Sequence, residues 1–164
     1  TNGQEPDMIQ KLEDEDALPT QLYLSTNAAD YQSFLKINRP RYDDSWERWN
    51  RTLKMLSTLG TRTVLRITLI RGYNDDEEMI PAFASLLQKS NVHFVEIKSY
   101  MHIGRSTNRL EHSDMLEMDE VRSFADKLVQ ENNAFTVMDE SEISRIVILQ
   151  NKKRFVDRFI PAYS

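Results

Sequence analysis

Apolar positions along the chain repeat every second residue in some stretches and every third or fourth in others, and the two kinds of stretch take turns. Residues 21–27, QLYLSTN, alternate after Pro19 and predict a strand. Over about 44–59, Trp46, Trp49, Leu53 and Leu56 recur at helical spacing, with Asp43 or Asp44 to cap the start and Gly60 where the helix stops. Residues 64–70 predict a second strand. A helix over about 76–88 follows, with four acidic residues at 75–78 by its positive end. A third strand is predicted at 94–100. The loop HIGRSTNRLEHSD then leads to a helix at about 119–131, striped by Val121, Phe124, Ala125 and Leu128. Residues 135–138 and 145–149 read as two more strands joined by an acidic turn, and 152–164 is a basic, aromatic extension. Alternating strands and helices predict an α/β fold of parallel strands with crossover helices.

The three central strands depart from the continuous apolar runs usual in a parallel sheet covered on both faces. Leu22 and Leu24 oppose Tyr23, Ser25 and Asn27; Leu65, Ile67 and Leu69 oppose Val64, Arg66, Thr68 and Ile70; Val95 and Ile97 oppose Glu96, Lys98 and Tyr100. If the apolar faces pack on the helices, a curved sheet turns the polar faces toward one cavity. Burying unpaired donors and charges costs several kcal/mol each, so such a lumen is either a ligand site or is filled by structural ion pairs, Arg66–Glu96 and Lys98–Glu96. Functional groups in such folds lie at the carboxyl ends of strands. Asn27, Thr68, Ile70 and Tyr100 lie toward that end, as do the loops RGYND and MHIGRSTNRL.

Composition narrows the chemistry. The chain of 164 residues suits one domain with a sizeable core. Its net charge of −5 argues against a general nucleic-acid binder, yet residues 36–72 hold nine basic side chains against three acidic, a net of +6. A polyanion fits that side, and a solvated mixed-charge surface is the plain alternative. No apolar run approaches the roughly 20 residues that span a bilayer, so no membrane association is expected. The amino end lacks the order of a secretory signal, so a cytoplasmic compartment is expected. Zero cysteines exclude disulfides and any thiolate-held metal supplied by this chain. His93, His102 and His112 lack zinc-site spacing, so no metal ligand is expected, and the four glycines form no phosphate-cradling loop.

Several motifs together carry a resemblance. LPTQLYLSTN, KINRP followed by DSWERW, RTVLRITLIRGYN, FVEIKSYMHIGRSTNRL and SRIVILQ, in that order over nearly the whole chain, resemble the later half of the radical S-adenosylmethionine (radical SAM) tRNA 4-demethylwyosine synthases of the wybutosine pathway. The YMHIG version resembles their archaeal branch, and TNGQEP resembles the end of a preceding barrel strand. The resemblance implies an α/β fold in which parallel βα units form the later half of a partial (β/α)6 barrel over 1–134, with C-terminal strands and a basic extension over 135–164. It implies S-adenosylmethionine and a [4Fe–4S] cluster as cofactors, a 5′-deoxyadenosyl radical, and a lyase-class condensation of pyruvate with N1-methylguanosine in tRNA-Phe.

By the same resemblance, Asn2, Gly3, Ser25 and Asn27 lie against the S-adenosylmethionine, and Arg66 and Thr68 meet its carboxylate, which suits a guanidinium fork. Glu96 and Lys98 match an inward pair of the family, and Arg39, Arg41, Arg105, Asn108 and Arg109 lie in segments facing tRNA. The departure is the absence of the family's CxxxCxxC loop. That loop, a second cluster and a pyruvate-binding lysine belong to the half that precedes Thr1, where the catalytic residues are expected. Taken alone, the chain cannot reduce S-adenosylmethionine. Three readings follow: part of such an enzyme, a non-catalytic tRNA-binding module derived from one, or a structural half-barrel. An open strand edge at 21–27 also predicts pairing with a missing N-terminal barrel half, or self-association.

Overall fold

The computed structural model describes residues 1–160, so residues 161–164 of the predicted extension lie outside the described residues. Five strands form one sheet in the order β1-β2-β3-β5-β4: β1 (Gln21–Ser25), β2 (Arg62–Leu69), β3 (Phe94–Ser99), β4 (Phe135–Ser141) and β5 (Ile146–Asn151). The first three run parallel, as strands joined through helices must. The last two form an antiparallel hairpin whose second strand docks antiparallel on β3. Register sorts the side chains into rows. Leu24, Leu65, Val95 and Leu149 stand abreast, followed by Ile67, Ile97 and Val147, all buried in one continuous core.

Helices α1 (Pro6–Asp14), α3 (Ser45–Met55), α4 (Ile80–Ser90) and α5 (Met118–Glu131) lie side by side in that order and cover this apolar face. The predicted helix at 44–59 is shorter, and Asp44 takes the Arg48 Nε at 2.9 Å instead of capping it. The predicted 76–88 helix is preceded by a 3₁₀ turn at Glu77–Met79 and runs on to Ser90. Two helices were not predicted. The first, α1, opens with Pro6 in its first turn and buries Pro6 and Ile9. The second, α2 (Tyr31–Asn38), is capped by Asp30, whose side chain accepts from the Ser33 N–H at 3.0 Å, and buries Phe34 and Ile37. It lies over the carboxyl ends of the strands and ends at Arg39, which is left-handed with φ 46° ahead of Pro40.

Both chain ends are tied back onto the body of the fold. The Thr1 N–H donates to the Tyr23 carbonyl at 2.7 Å, and its carbonyl accepts from the Ser25 N–H at 3.0 Å. That pair of bonds, one residue against its neighbour's two flanking positions, is the pattern of a parallel ladder. Gly3 follows with φ +75° and no room for a side chain, since a Cβ there would stand 2.8 Å from Leu24 Cδ1 and 3.0 Å from Trp49 Cδ1. At the other end, Arg154 donates Nη1 to the Leu56 and Asn91 carbonyls at 2.8 and 2.9 Å and Nη2 to Leu59 at 3.2 Å, joining the ends of α3 and α4.

Candidate functional site

The polar face of the sheet is built by the same register. Ser25, Arg66 and Glu96 are cross-strand partners on three adjacent strands, and Thr68 and Lys98 form the next row toward the carboxyl ends. Neighbouring strands lie about 4.8 Å apart, so these groups are in mutual reach. Arg66 grips Glu96 with two bonds, Nε to Oε1 at 2.7 Å and Nη2 to Oε2 at 3.2 Å, and stacks over the Tyr23 ring at 4.4 Å. The Glu96 side chain is only 9% exposed, whereas that of Arg66 is 40% exposed. Nη1 of Arg66 has no partner among the described residues and is free to meet an anion. Lys98 does not pair with Glu96 and has no other ion-pair partner among the described residues. Half of the ion-pair alternative therefore holds and half does not.

Two hollows open on this face and share Asn27. The larger, of about 560 Å³, is lined by Asn2, Gln4, Ser25 and Asn27, with Arg39 and Arg41 from the end of α2. The second, of about 330 Å³, is lined by Asn27, Arg66, Thr68, Lys98 and Tyr100, with Met101, Ile103 and Arg109 from the following loop. Two acceptors at this junction, Asn27 Oδ1 and Gln4 Oε1, are buried with no hydrogen-bond partner among the described residues. Buried acceptors are almost always satisfied, so these two fit a ligand carrying hydroxyl or ammonium donors. Lys98 and the free Nη1 of Arg66 fit a carboxylate. An amino acid joined to a ribose, as in S-adenosylmethionine, has that donor set. An iron–sulfur cluster does not fit this chain, which has no cysteine and, among the described residues, no group of three His, Asp or Glu able to hold a metal.

Not every predicted residue lines a hollow. Gly3 is buried under Leu24 and Trp49 and gives its carbonyl to Thr52 Oγ1 at 2.9 Å. Glu96 lies beneath Arg66 and does not face the open volume. Arg105 and Asn108 are exposed on the 3₁₀ segment Gly104–Asn108, outside both hollows. Asn74 was missed by sequence reasoning. Fully buried, it donates to the Asn27 and Thr68 carbonyls, both at 2.8 Å, and accepts from the Ile70 N–H at 2.7 Å, pinning β1 to β2 where the hollows meet. Its only sequence signal is the turn RGYN. Trp49 also holds the floor from behind, its Nε1 donating to the Ser25 carbonyl at 3.1 Å.

Charge pairing is segregated across the molecule. Arg51, Arg71, Arg122 and Arg145 pair with carboxylates that line neither hollow, while Arg48 pairs with Asp44 and with Glu5 at the edge of the larger one. The Arg71 fork, which also reaches the Ser113 and Met115 carbonyls, anchors the end of the loop and depresses the pKa of Glu120 through its hydrogen bonds. Arg39, Arg41, Arg105 and Arg109, by contrast, have no carboxylate partner among the described residues. Arg39, Arg41, Arg109 and Lys98 line the hollows and make them mainly cationic, with Glu5 the carboxylate among the lining residues.

Residues 89–151 match the family model described as Wyosine base formation. The chain is 43% identical over 157 residues to the S-adenosyl-L-methionine-dependent tRNA 4-demethylwyosine synthase of Methanocaldococcus jannaschii, covering 96% of this chain and 47% of that protein. It is 34% identical over 154 residues to the human protein of the same description, covering 93% of this chain and 20% of that protein. A structure of TYW1 with a lysine–pyruvate adduct bound superposes with a TM-score of 0.80 at 41% identity, covering 94% of this chain and 46% of that one. The crystal structure of archaeal TYW1 gives 0.73 at 36% identity, with 95% and 46% covered. The chain thus spans just under half the length of its archaeal relatives. In sequence and in fold it matches the C-terminal part of the tRNA 4-demethylwyosine synthases.

Proposed function

We propose that this chain acts within an S-adenosylmethionine-dependent tRNA 4-demethylwyosine synthase and supplies the cofactor's polar contacts and part of the tRNA surface. Its sheet would then be the later portion of a partial (β/α)6 barrel, continued beyond the outer edge of β1 by the strand that Thr1 ends. When bound and reductively cleaved, S-adenosylmethionine supplies a 5′-deoxyadenosyl radical. The [4Fe–4S] cluster needed for that cleavage would be held by thiolates from outside this chain. Asn2, Ser25 and Asn27 would hold the ribose and ammonium donors of the cofactor. Arg66, Thr68 and Lys98 would hold its carboxylate, with Glu96 fixing the guanidinium fork and Gly3 letting the preceding turn approach. Arg39, Arg41, Arg105, Asn108 and Arg109 would meet the phosphates of tRNA-Phe. Pyruvate would be the second substrate, and the cytoplasm the compartment.

The observation that carries this reading is the convergence of unpartnered groups on one face. Among the described residues, acceptors without a hydrogen-bond partner at Asn27 and Gln4 and a cation without an ion-pair partner at Lys98 surround adjoining hollows. The test is calorimetric titration of S-adenosylmethionine into the intact polypeptide that carries this sequence. Asn27→Ala and Lys98→Met are each expected to weaken binding by about tenfold or more, the scale of one lost hydrogen bond to a charged group. Unchanged affinity in both variants would overturn the assignment.

A further inference from the structure

We propose that Ile103, with Met101 beside it, is an apolar wedge that occupies the gap in an RNA stack when the target base swings out toward the cofactor held by Asn27, Thr68 and Lys98. The proposal rests on the reading above. A base inside a stacked anticodon arm cannot reach a hollow recessed at the carboxyl ends of the strands, so it must leave its neighbours at a cost of a few kcal/mol. Apolar side chains inserted at the vacated step offset that cost.

Ile103 is 67% exposed and Met101 39%, yet both line the mouth of this hollow. A single exposed apolar residue is ordinary; this one is braced. The Ile103 N–H donates to the Met101 carbonyl at 2.8 Å, and its own carbonyl accepts from Ser106 Oγ at 2.7 Å. Gly104, with φ +64°, turns the chain directly after it. Thr107 Oγ1 closes on the Gly104 carbonyl at 2.8 Å, and Leu110 buries the end of the loop. Arg105 and Arg109, on the segment that follows, have no carboxylate partner among the described residues, so cations able to meet phosphates lie on the same loop as the tooth.

The test uses the intact polypeptide and a tRNA carrying 2-aminopurine beside the target base, whose emission rises when its stack opens. Ile103→Ser is expected to abolish most of the rise and weaken binding by about ten- to a hundredfold, the scale of burying one large apolar side chain. It should leave the salt dependence of binding unchanged, and Ile103→Leu should restore the emission. Arg105→Gln should lower the salt slope by about one without removing the rise in emission. A full rise and wild-type affinity in Ile103→Ser would overturn the wedge. Salt-independent or absent tRNA binding by the wild type would overturn the functional reading beneath it instead.

Discussion

His93 shows how one side chain couples the fold to pH. It is buried at the foot of β2 and β3, its Nδ1 accepting the Thr63 N–H at 3.0 Å. Burial, and then the nearby Arg154 and Arg62, push its pKa down from 6.5 to about 4. The neutral ring is therefore the folded form. Below pH 6.5 the unfolded chain takes up a proton that the folded chain refuses until about pH 4, so stability falls as pH drops through that window. His93→Asn keeps an acceptor for Thr63 and removes the titration. Urea midpoints measured from pH 7 to 4 should fall less steeply in the variant, and parallel curves would contradict this. Residue parity explains why the row Ser25, Arg66, Glu96 could be read before any coordinates. In a parallel sheet, side chains of like parity stand on one face, so charged groups mid-strand announce a shared polar surface. Asn74 had no such signature, because its role comes from a loop folding back on the strand just before it and across to Asn27, 47 residues away.

At the scale of elements, the long helices were legible and the short ones were not. Five positions of α5 are buried at helical spacing, so its stripe stands out. In α1 only Pro6 and Ile9 are buried, and Met8 faces solvent, so no stripe exists to be found. The tail is legible only as a basic, aromatic composition, although Arg154 fixes two helices through three carbonyls. Arg154→Ala is expected to destabilise the protein by about 1–3 kcal/mol by leaving those carbonyls without their charged donor. Arg51→Ala, which removes an exposed pair with Asp7, should cost at most about 1 kcal/mol. Denaturant unfolding of both variants measures the contrast, and equal losses would refute the clamp.

The whole molecule has two unlike sheet edges. At β4 the pairing shifts between Val137 and Asp139, and Asp139 and Glu140 crowd the strand with charge, bonded to Arg158 and Arg122. Bulges and charges of this kind discourage further pairing. At β1 the outer edge meets Thr1 beside Tyr23 and Ser25, and among the described residues no strand lies beyond it. The isolated 164-residue chain should therefore self-associate in sedimentation or light-scattering measurements, and supplying the preceding segment of a relative should suppress this. A concentration-independent monomer would count against an open edge. The Thr1 bonds add a further constraint. Two copies related by a two-fold axis would bring their β1 edges together antiparallel, whereas Thr1 bonds to Tyr23 and Ser25 in the pattern of a neighbour running the same way. The contacts already made at this edge thus carry a direction, and a symmetric pair of identical chains would have to surrender them to form.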